Sequence, residues 1–259
     1  MGTSRETMKH AAIYSAASTL GKGIGFIMLP FYAHNLGTEG YGIIGMMDAA
    51  ITLLVTLMAY GCQSAIIRFY HELQEGRKVL AVSTGYWLIA TITATLTLSM
   101  MLFSAPLAVL LFGDSSLSLI LCMALLTFFL DINSQTAASI LLIKRKSVTF
   151  SIISLIRLAL GLSLNIILIV WLKLGVYGYF LSAAIVSCIS FITYQRICIK
   201  ECGTQFDKKL AIDITKFQLP LVPSSLIRFA SGQSERVFLR ALESIEKVGI
   251  LEMGYKFPS

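Results

Sequence analysis

The amino-acid sequence predicts an all-α fold, a polytopic bundle of transmembrane helices. The first observation is composition: 56% of the 259 residues are hydrophobic and only 14% are charged, whereas soluble domains carry about 25% charged residues. The second is that apolar runs of about 20 residues, long enough to cross a bilayer, recur along the whole chain. The third is that no stretch between these runs exceeds about 20 residues, which leaves no room for a folded domain outside the membrane.

The apolar runs predict seven long helices in chain order. The first run lacks a small-residue cleavage site and is too long for the apolar core of a signal peptide, so it is expected to remain as a span. The stretch "APLAVLLFG" at 105–113 is too short to cross and is expected to lie in the outer interface of the membrane. The predicted helices cover residues 11–34, 42–67, 79–103, 117–143, 148–171 and 176–195, with a seventh rising from about 213.

Basic residues are distributed unequally between the two sets of loops. One set carries twelve, and the turns near 35–41, 104–116 and 172–176 carry only Lys173. The positive-inside rule therefore predicts that the protein lies in the cytoplasmic membrane with its amino terminus on the cytoplasmic side. The net charge of +7 then describes a rim that faces anionic lipid, and it does not indicate nucleic-acid binding. The twelve are Arg5, Lys9, Arg68, Arg77, Lys78, Lys144, Arg145, Lys146, Arg196, Lys200, Lys208 and Lys209.

The five cysteines lie in or beside the apolar runs, and no histidine is near enough in sequence to complete a zinc site. They are interpreted as small apolar packing residues with free thiols. We predict no metal site and no cofactor.

An internal repeat indicates two halves. "NLGTEGYGIIGMM" (35–47) is similar to "ALESIEKVGILEM" (241–253): Leu36 matches Leu242 at an offset of 206, and one residue of slippage then matches Gly42 with Gly249. Two six-helix halves with a site at their interface are a known transporter design. The sequence therefore predicts a first bundle over 1–209 and the start of a second over 210–259. The chain ends inside what would be helix eight, so we expect a truncated product.

Charged residues within the predicted spans lie on stripes of small or polar residues at helical spacing. A charge that faces lipid costs from about 2.5 kcal/mol upward, so these stripes are expected to face a common interior space. At an offset of 206, Lys22 also falls on Arg228 of the seventh helix. The stripes are Ser15, Ser18, Lys22 and Gly25; Asp48, Thr52, Thr56, Ala59 and Gln63; Thr127, Asp131, Ser134, Gln135 and Ala138; and Ser147, Ser151, Ser154, Arg157, Gly161 and Asn165.

Two interpretations of these charges remain open. In the structural one, Lys22 pairs with Asp48 or Asp131, and Arg157 pairs with the remaining acid. In the functional one, cations receive an anionic substrate, and acids balance charge or carry a coupling proton or sodium ion.

The glycines around Lys22 allow two interpretations as well. Gly21, Gly23, Gly25 and then Pro30 weaken the first helix and predict a hinge. Glycine also serves close helix packing in membranes.

The stretch "LPFYAHNLGTEGYGIIGMMDAAITLLVTLMAYGCQSAIIRFY" (29–70) resembles the opening of Wzx-like polysaccharide exporters, the oligosaccharidyl-lipid flippases whose superfamily also holds multidrug exporters. Where that family reads Leu-Gly-Pro-Glu-Glu-Tyr-Gly, this chain reads "LGTEGYG". Its second half opens with Leu-Pro, small residues and an Asp-Arg pair, and this chain has "LPLVPSSL" (219–226) followed by Glu235-Arg236.

The resemblance implies a fold of twelve to fourteen helices in two bundles, and a transporter rather than an enzyme. The implied activity is flipping of an undecaprenyl-diphosphate-linked oligosaccharide to the outer leaflet. The predicted substrate-binding cations are Lys22, Arg157, Arg228 and Arg236, and the predicted ion-coupling or charge-balancing acids are Asp48, Asp131 and Glu235.

Three alternatives compete with this prediction. A multidrug exporter of the same superfamily would need a cavity dominated by acids. A membrane enzyme of a polysaccharide pathway would place catalytic carboxylates or histidines in a sizeable loop, and this chain has none. The third alternative is an inactive fragment. The sequence does not specify the sugar, the coupling ion or the oligomeric state.

Overall fold

The computed structural model describes residues 30–32, 34–57, 60–143 and 146–255, and it is all-α within them. Residues 30–32 are helical, as is α1, His34–Leu57. The helices that follow are α2 (Tyr60–Glu72), α3 (Glu75–Leu102), α4 (Ser104–Phe112), α5 (Ser118–Ile143), α6 (Ser147–Asn165), α7 (Gly175–Cys202), α8 (Lys208–Gln218), α9 (Val222–Leu242) and α10 (Ile245–Tyr255).

The predicted polytopic helical bundle is confirmed. Five helices in the described part of the chain are long and apolar enough to cross a membrane: α1, α3, α5, α6 and α7. The span of α6 includes the wider helical turn Ile166–Trp171 that continues it. The first predicted helix, 11–34, lies almost wholly outside the described residues.

Two predicted boundaries were wrong. The helix predicted to begin at residue 42 begins earlier, because α1 already includes residues 34–41, and Gly37, whose φ is +65°, lies within it. The helix predicted to end at 195 continues to Cys202, because Gly203, with φ +69°, ends it there. Glycine reaches this left-handed backbone region without steric cost.

The short run at 105–113 forms α4, which Gly113 ends with φ +78°. Beyond it, the Asp114 carboxylate accepts hydrogen bonds from the Ser116 backbone N–H (2.8 Å) and hydroxyl. These hydrogen bonds stabilise the ionised carboxylate and hold the pKa of Asp114 below its ordinary value. The location of α4 in the membrane interface remains a prediction.

The seventh predicted helix is interrupted. Asp207 caps α8 by accepting hydrogen bonds from the backbone N–H groups of Lys209 (2.9 Å) and Leu210 (3.2 Å). A tighter turn at Leu219–Leu221, which contains Pro220, then leads into α9. Because proline lacks the N–H needed to continue a helix, this junction is where the regular helix breaks.

Two hydrophobic cores are stacked along the bundle, and α5 and α7 run through both. One core includes Met47, Phe112 and Val248, and the other includes Tyr86, Cys198 and Ile214. We call the end with the α2–α3, α5–α6 and α7–α8 connections the basic end, and the end with α4 and the α9–α10 turn the opposite end.

Among α2 to α10, the α5–α7 pair makes the most extensive helix contact. Gly178 of α7 serves a different contact, because a Cβ there would lie 3.0 Å from the Leu168 backbone oxygen of the turn that continues α6. A hydrogen bond also joins α5 to α3, because the Asn133 side-chain amide donates to the Thr93 hydroxyl (3.2 Å) in a buried position.

The division of the chain near residue 209 remains a prediction.

Candidate functional site

The intramembrane charges Asp131 and Arg157 form an ion pair between α5 and α6. The Arg157 Nη2 lies 2.6 Å from the Asp131 Oδ1, and the two side chains are 32% and 27% exposed. Their helical stripes place both groups on interior faces, where they meet. The pair is therefore only partly desolvated, and it is reached from a cavity on either side.

Cavity A lies between α5, α6 and α7 and has a volume of about 340 Å³. Arg157 and Asp131 line it, together with hydroxyl and amide groups of α6 and α7. Within this wall the Ser182 hydroxyl of α7 donates to the Asn165 side-chain oxygen of α6. The polar lining residues are Asp131, Ser154, Arg157, Asn165, Tyr179, Ser182 and Ser187.

Cavity B lies between α1, α5 and α7 and has a volume of about 240 Å³. It shares Asp131, Tyr179 and Ala183 with cavity A, so the two cavities adjoin at these side chains. Among the described residues, its lining includes two carboxylates and no basic group. Its polar lining residues are Asp48, Thr127, Asp131, Gln135 and Tyr179.

Aromatic rings form one wall at this junction. Tyr179 packs edge-on against Tyr32, with ring centroids 6.1 Å apart, and edge-on against Phe180 at 5.3 Å. Carboxylate, amide and hydroxyl oxygens accept hydrogen bonds from hydroxyl groups, and aromatic faces offer apolar contact. The joined cavities can therefore take a hydrated, hydroxyl-rich group within the membrane.

Cavity C lies between α1 and α9 and has a volume of about 210 Å³. Its lining includes the predicted cation Arg228, and it also includes Thr52 and Thr56, which continue the α1 stripe beyond Asp48. The Ser225 hydroxyl bonds across this contact to the Thr56 backbone oxygen (3.3 Å). Guanidinium and hydroxyl donors together are the chemistry that an anionic oxygen needs.

Arg236 lies elsewhere, between α9 and α10. Its guanidinium pairs with Glu252 and hydrogen-bonds Gln233, and the Arg236 and Glu252 side chains are only 14% and 8% exposed. The neighbouring Glu235 is exposed on α9. Substrate binding by Arg236 and ion coupling by Glu235 remain predictions, and in this conformation Arg236 is engaged by Glu252.

Lys22, which the sequence analysis placed among the substrate-binding cations, lies outside the described residues. Lys22 and the predicted hinge glycines Gly21, Gly23 and Gly25 all precede residue 30. Pro30 is described, and it is exposed in the helical stretch 30–32. The hinge remains a prediction.

Sequence reasoning missed Tyr179 and Glu252. Tyr179 follows Tyr177, which is typical of an aromatic belt at the membrane border, so its interior position was not apparent. Glu252 is a lone acid in an apolar helix, and that pattern was the available signal for a paired intramembrane charge.

Comparison with known families gives a match over nearly the whole chain. Residues 7–259 match the family model described as polysaccharide biosynthesis protein. The chain is 22% identical over 255 residues to Lsg locus putative protein 1 of Haemophilus influenzae, covering 96% of this chain and 60% of that protein. It is 21% identical over 237 residues to the succinoglycan biosynthesis transport protein ExoT of Rhizobium meliloti, covering 92% and 47%.

A solved structure shares the fold. The chain named protein A superposes with a TM-score of 0.70 at 14% identity, covering 95% of this chain and 59% of that one. The present chain thus spans about half to three-fifths of the length of the proteins that it matches.

Proposed function

This chain belongs to the family of polysaccharide biosynthesis proteins, and we propose that it moves an undecaprenyl-diphosphate-linked oligosaccharide across the cytoplasmic membrane. It is a multi-pass membrane protein, and its family and relatives support a role in polysaccharide export. The proposed activity is the flipping of a lipid-linked intermediate, which is transport rather than catalysis.

The observation that carries the proposal is the pair of joined cavities around Asp131 and Arg157. A sugar chain that crosses a bilayer needs a hydrated interior lined by hydrogen-bonding groups, because exposure of hydroxyls to hydrocarbon is costly. Ion pairing alone would not require polar stripes that line cavities on α1, α5 and α6.

The parts of the proposed substrate fit different groups. Diphosphate oxygens pair with cations, for which Lys22, Arg157 and Arg228 are the candidates. The polyprenyl tail can remain in lipid beside α6, since only 11% of the most apolar 18-residue stretch of this span is buried inside the protein. A coupling proton or sodium ion would be handled by Asp48 or Asp131.

One observation favours a second function. Cavity B combines Asp48 and Asp131 with the aromatic rings of Phe128, Tyr179 and Phe180, and this lining also suits an organic cation. An ion-coupled multidrug exporter of the same superfamily is therefore the alternative.

Substitution of Lys22 in the native host tests the proposal. If an ammonium receives the diphosphate, Lys22→Ala should abolish surface polysaccharide while membrane abundance stays normal. Lys22→Arg should keep much of the export, because the charge remains although its geometry differs. Surface polysaccharide and protein abundance are measured together, with the exposed Lys200→Ala at the basic end as the matched control.

Full export by Lys22→Ala at normal abundance would contradict the role of this cation. Loss of Lys22→Ala protein from the membrane, rescued by removing Asp48 or Asp131 as well, would assign Lys22 to a structural pair instead.

A further inference from the structure

One face of α8 packs against α2 and against the start of α3. That face consists of buried residues at helical spacing, namely Leu210, Ala211, Ile214 and Gln218. Ile214 shares a hydrophobic core with Ile66 of α2 and Val82 of α3. The direction of the outer face of α8 is therefore determined by the packing of its inner face.

Both ends of α8 are held by further contacts. Just before the helix begins, the Gln205 backbone oxygen accepts a hydrogen bond from the Ser83 hydroxyl of α3 (2.6 Å). Near its other end, the Arg68 guanidinium of α2 lies over the Phe217 ring, 4.7 Å from the ring centroid. These contacts prevent α8 from rotating about its own axis, so its outer face keeps one orientation.

The length of α3 indicates the depth of α8 in the membrane. Helix α3 has 28 residues, which extend about 42 Å at the rise of an α-helix, whereas the hydrocarbon core is about 30 Å thick. At the opposite end of the bundle, Leu102 and Phe103 are exposed apolar side chains, which is typical of contact with lipid. The excess length of α3 therefore lies at the basic end, where its first turns pass through the headgroup region. Because α8 packs against these turns, it lies at the same depth.

Lysines and apolar side chains alternate on the outer face of α8. Lys208, Ile212 and Lys216 are spaced four residues apart, and all three are exposed. Phe206 and Leu219, at the two ends of the helix, are exposed as well. None of these five residues lines cavity A, B or C. A face of this kind suits a membrane surface, because apolar side chains reach the acyl chains while lysine side chains extend to the headgroups.

The charge of this face favours an anionic lipid. Lys209 is exposed beside Lys208 and Lys216, and Asp213 is the exposed acid of the same helix. None of the three lysines forms an ion pair with a carboxylate of another described residue. Lipid phosphates can therefore supply the opposite charge, since lysines close to an anionic membrane surface are attracted to it.

We propose that the outer face of α8, defined by Phe206, Lys208, Ile212, Lys216 and Leu219, binds anionic phospholipid in the leaflet at the basic end. This surface is separate from the cavities, and the transported substrate takes no part in it. The bound lipid fastens the segment that connects α7 to α9 to that leaflet.

Fluorescence quenching by brominated lipids tests which lipid contacts α8. A fluorescent amino acid is encoded in place of Thr215, which is exposed beside this face. The full chain is reconstituted into vesicles with equal parts of phosphatidylcholine and phosphatidylglycerol, and only one of the two lipids carries bromine at a time. We expect brominated phosphatidylglycerol to quench about threefold more strongly than brominated phosphatidylcholine, because the lysines concentrate the anionic lipid.

Removal of the two lysines should abolish this preference. Lys208→Gln combined with Lys216→Gln is expected to lower the quenching ratio to about one, since the charge that attracts the anionic lipid is gone. Arg196→Gln combined with Lys200→Gln is the matched control, because it removes two exposed charges of α7 at the same end, and it should leave the ratio unchanged. An equal loss in the control, or a ratio near one without any lysine substitution, would overturn the proposal.

A substitution of opposite sign gives a second measurement if the lysine variant does not accumulate. Asp213→Asn removes the acid that repels anionic headgroups, so the preference for phosphatidylglycerol should increase; an unchanged ratio would contradict the proposal. Absence of quenching by either lipid would also overturn it. Quenching by aqueous iodide would then show that the face lies in water, and protection from iodide would show that protein covers it.

Discussion

The Asp131–Arg157 pair is held between two cavities rather than sealed in the core. Removing one partner of a fully buried pair is strongly destabilising, because a bare charge is left without water. Here about a third of each side chain is exposed, so water in cavities A and B can solvate the remaining charge. Substitution of Asp131 or Arg157 can therefore test the role of the pair in the site without also unfolding the protein.

Charge reversal separates those two roles. We expect Asp131→Asn and Arg157→Gln to cost roughly 1 kcal/mol of stability or less each, and to accumulate in the membrane while export falls. Asp131→Arg combined with Arg157→Asp should restore the pair but not export, because the charges then face the wrong cavities. Full recovery of export by this double variant would assign the pair a structural role only.

At the scale of the element, α6 has two unlike faces. Arg157, Gly161 and Asn165 line cavity A, whereas Ile152 and Ile156 are each 53% exposed on a span of mean hydropathy 2.3. A helix with this pattern faces lipid on its apolar side. Its polar stripe and its apolar face therefore specify its rotation in the bundle.

The rotation of α6 predicts an asymmetry between two substitutions. Ile156→Asp would expose a carboxylate to hydrocarbon at a cost of about 2.5 kcal/mol or more, so the protein should fail to accumulate. Gly161→Ser adds a hydroxyl where the structure has open space on the cavity side, and it should accumulate normally. Membrane abundance is measured by immunoblot, and equal abundance of the two variants would refute this rotation.

The α7–α8 connection depends on Asp207. Besides capping α8, its carboxylate lies 3.4 Å from Arg77, and its backbone N–H donates to Thr84 (3.1 Å). Hydrogen bonds from the Leu210 and Lys209 N–H groups, together with the charge of Arg77, hold the pKa of Asp207 below its ordinary value. A depressed carboxylate pKa contributes stability that is fully present above the unfolded-state pKa, about 3.9.

The cap should therefore weaken only in acid. Hydrogen exchange at the Lys209 and Leu210 amides is compared between the natural chain and Asp207→Ala, at matched pH. We expect slower exchange in the natural chain at pH 7, and a difference that vanishes as the pH falls through the native pKa. A difference that persists unchanged well below that pKa would show that the carboxylate does not carry the cap.

At the scale of the whole molecule, the structure collects the described basic loop residues at one end. Lys146 pairs with Glu201 there, and Arg68 pairs with Glu72. The positive-inside rule then predicts that this end lies in the cytoplasm. Gly76→Cys should react with an impermeant maleimide only after the cytoplasmic side is opened, and Ser115→Cys should react in intact cells. Labelling of Gly76→Cys from outside would reverse the orientation.

The sequence predicted what depends on one helix at a time. Hydropathy placed the long spans, and helical spacing placed Asp131 and Arg157 on interior faces. It did not predict the Arg236–Glu252 pair or the contact of Gly42 with the Ile245 backbone, because these depend on how separate helices dock. The continuation of α7 to Cys202 was not predicted, because hydropathy does not register where a polar extension remains helical.

The most direct test of the account is movement of the lipid-linked sugar itself. The protein is reconstituted into liposomes with undecaprenyl-diphosphate oligosaccharide extracted from its host, and the fraction that an added lectin can reach is followed over time. We predict that this fraction rises from the half present in the outer leaflet towards completion, and that Arg157→Gln slows the rise. A fraction identical to that of protein-free liposomes, with uptake of a cationic dye in its place, would contradict the account and favour a multidrug exporter.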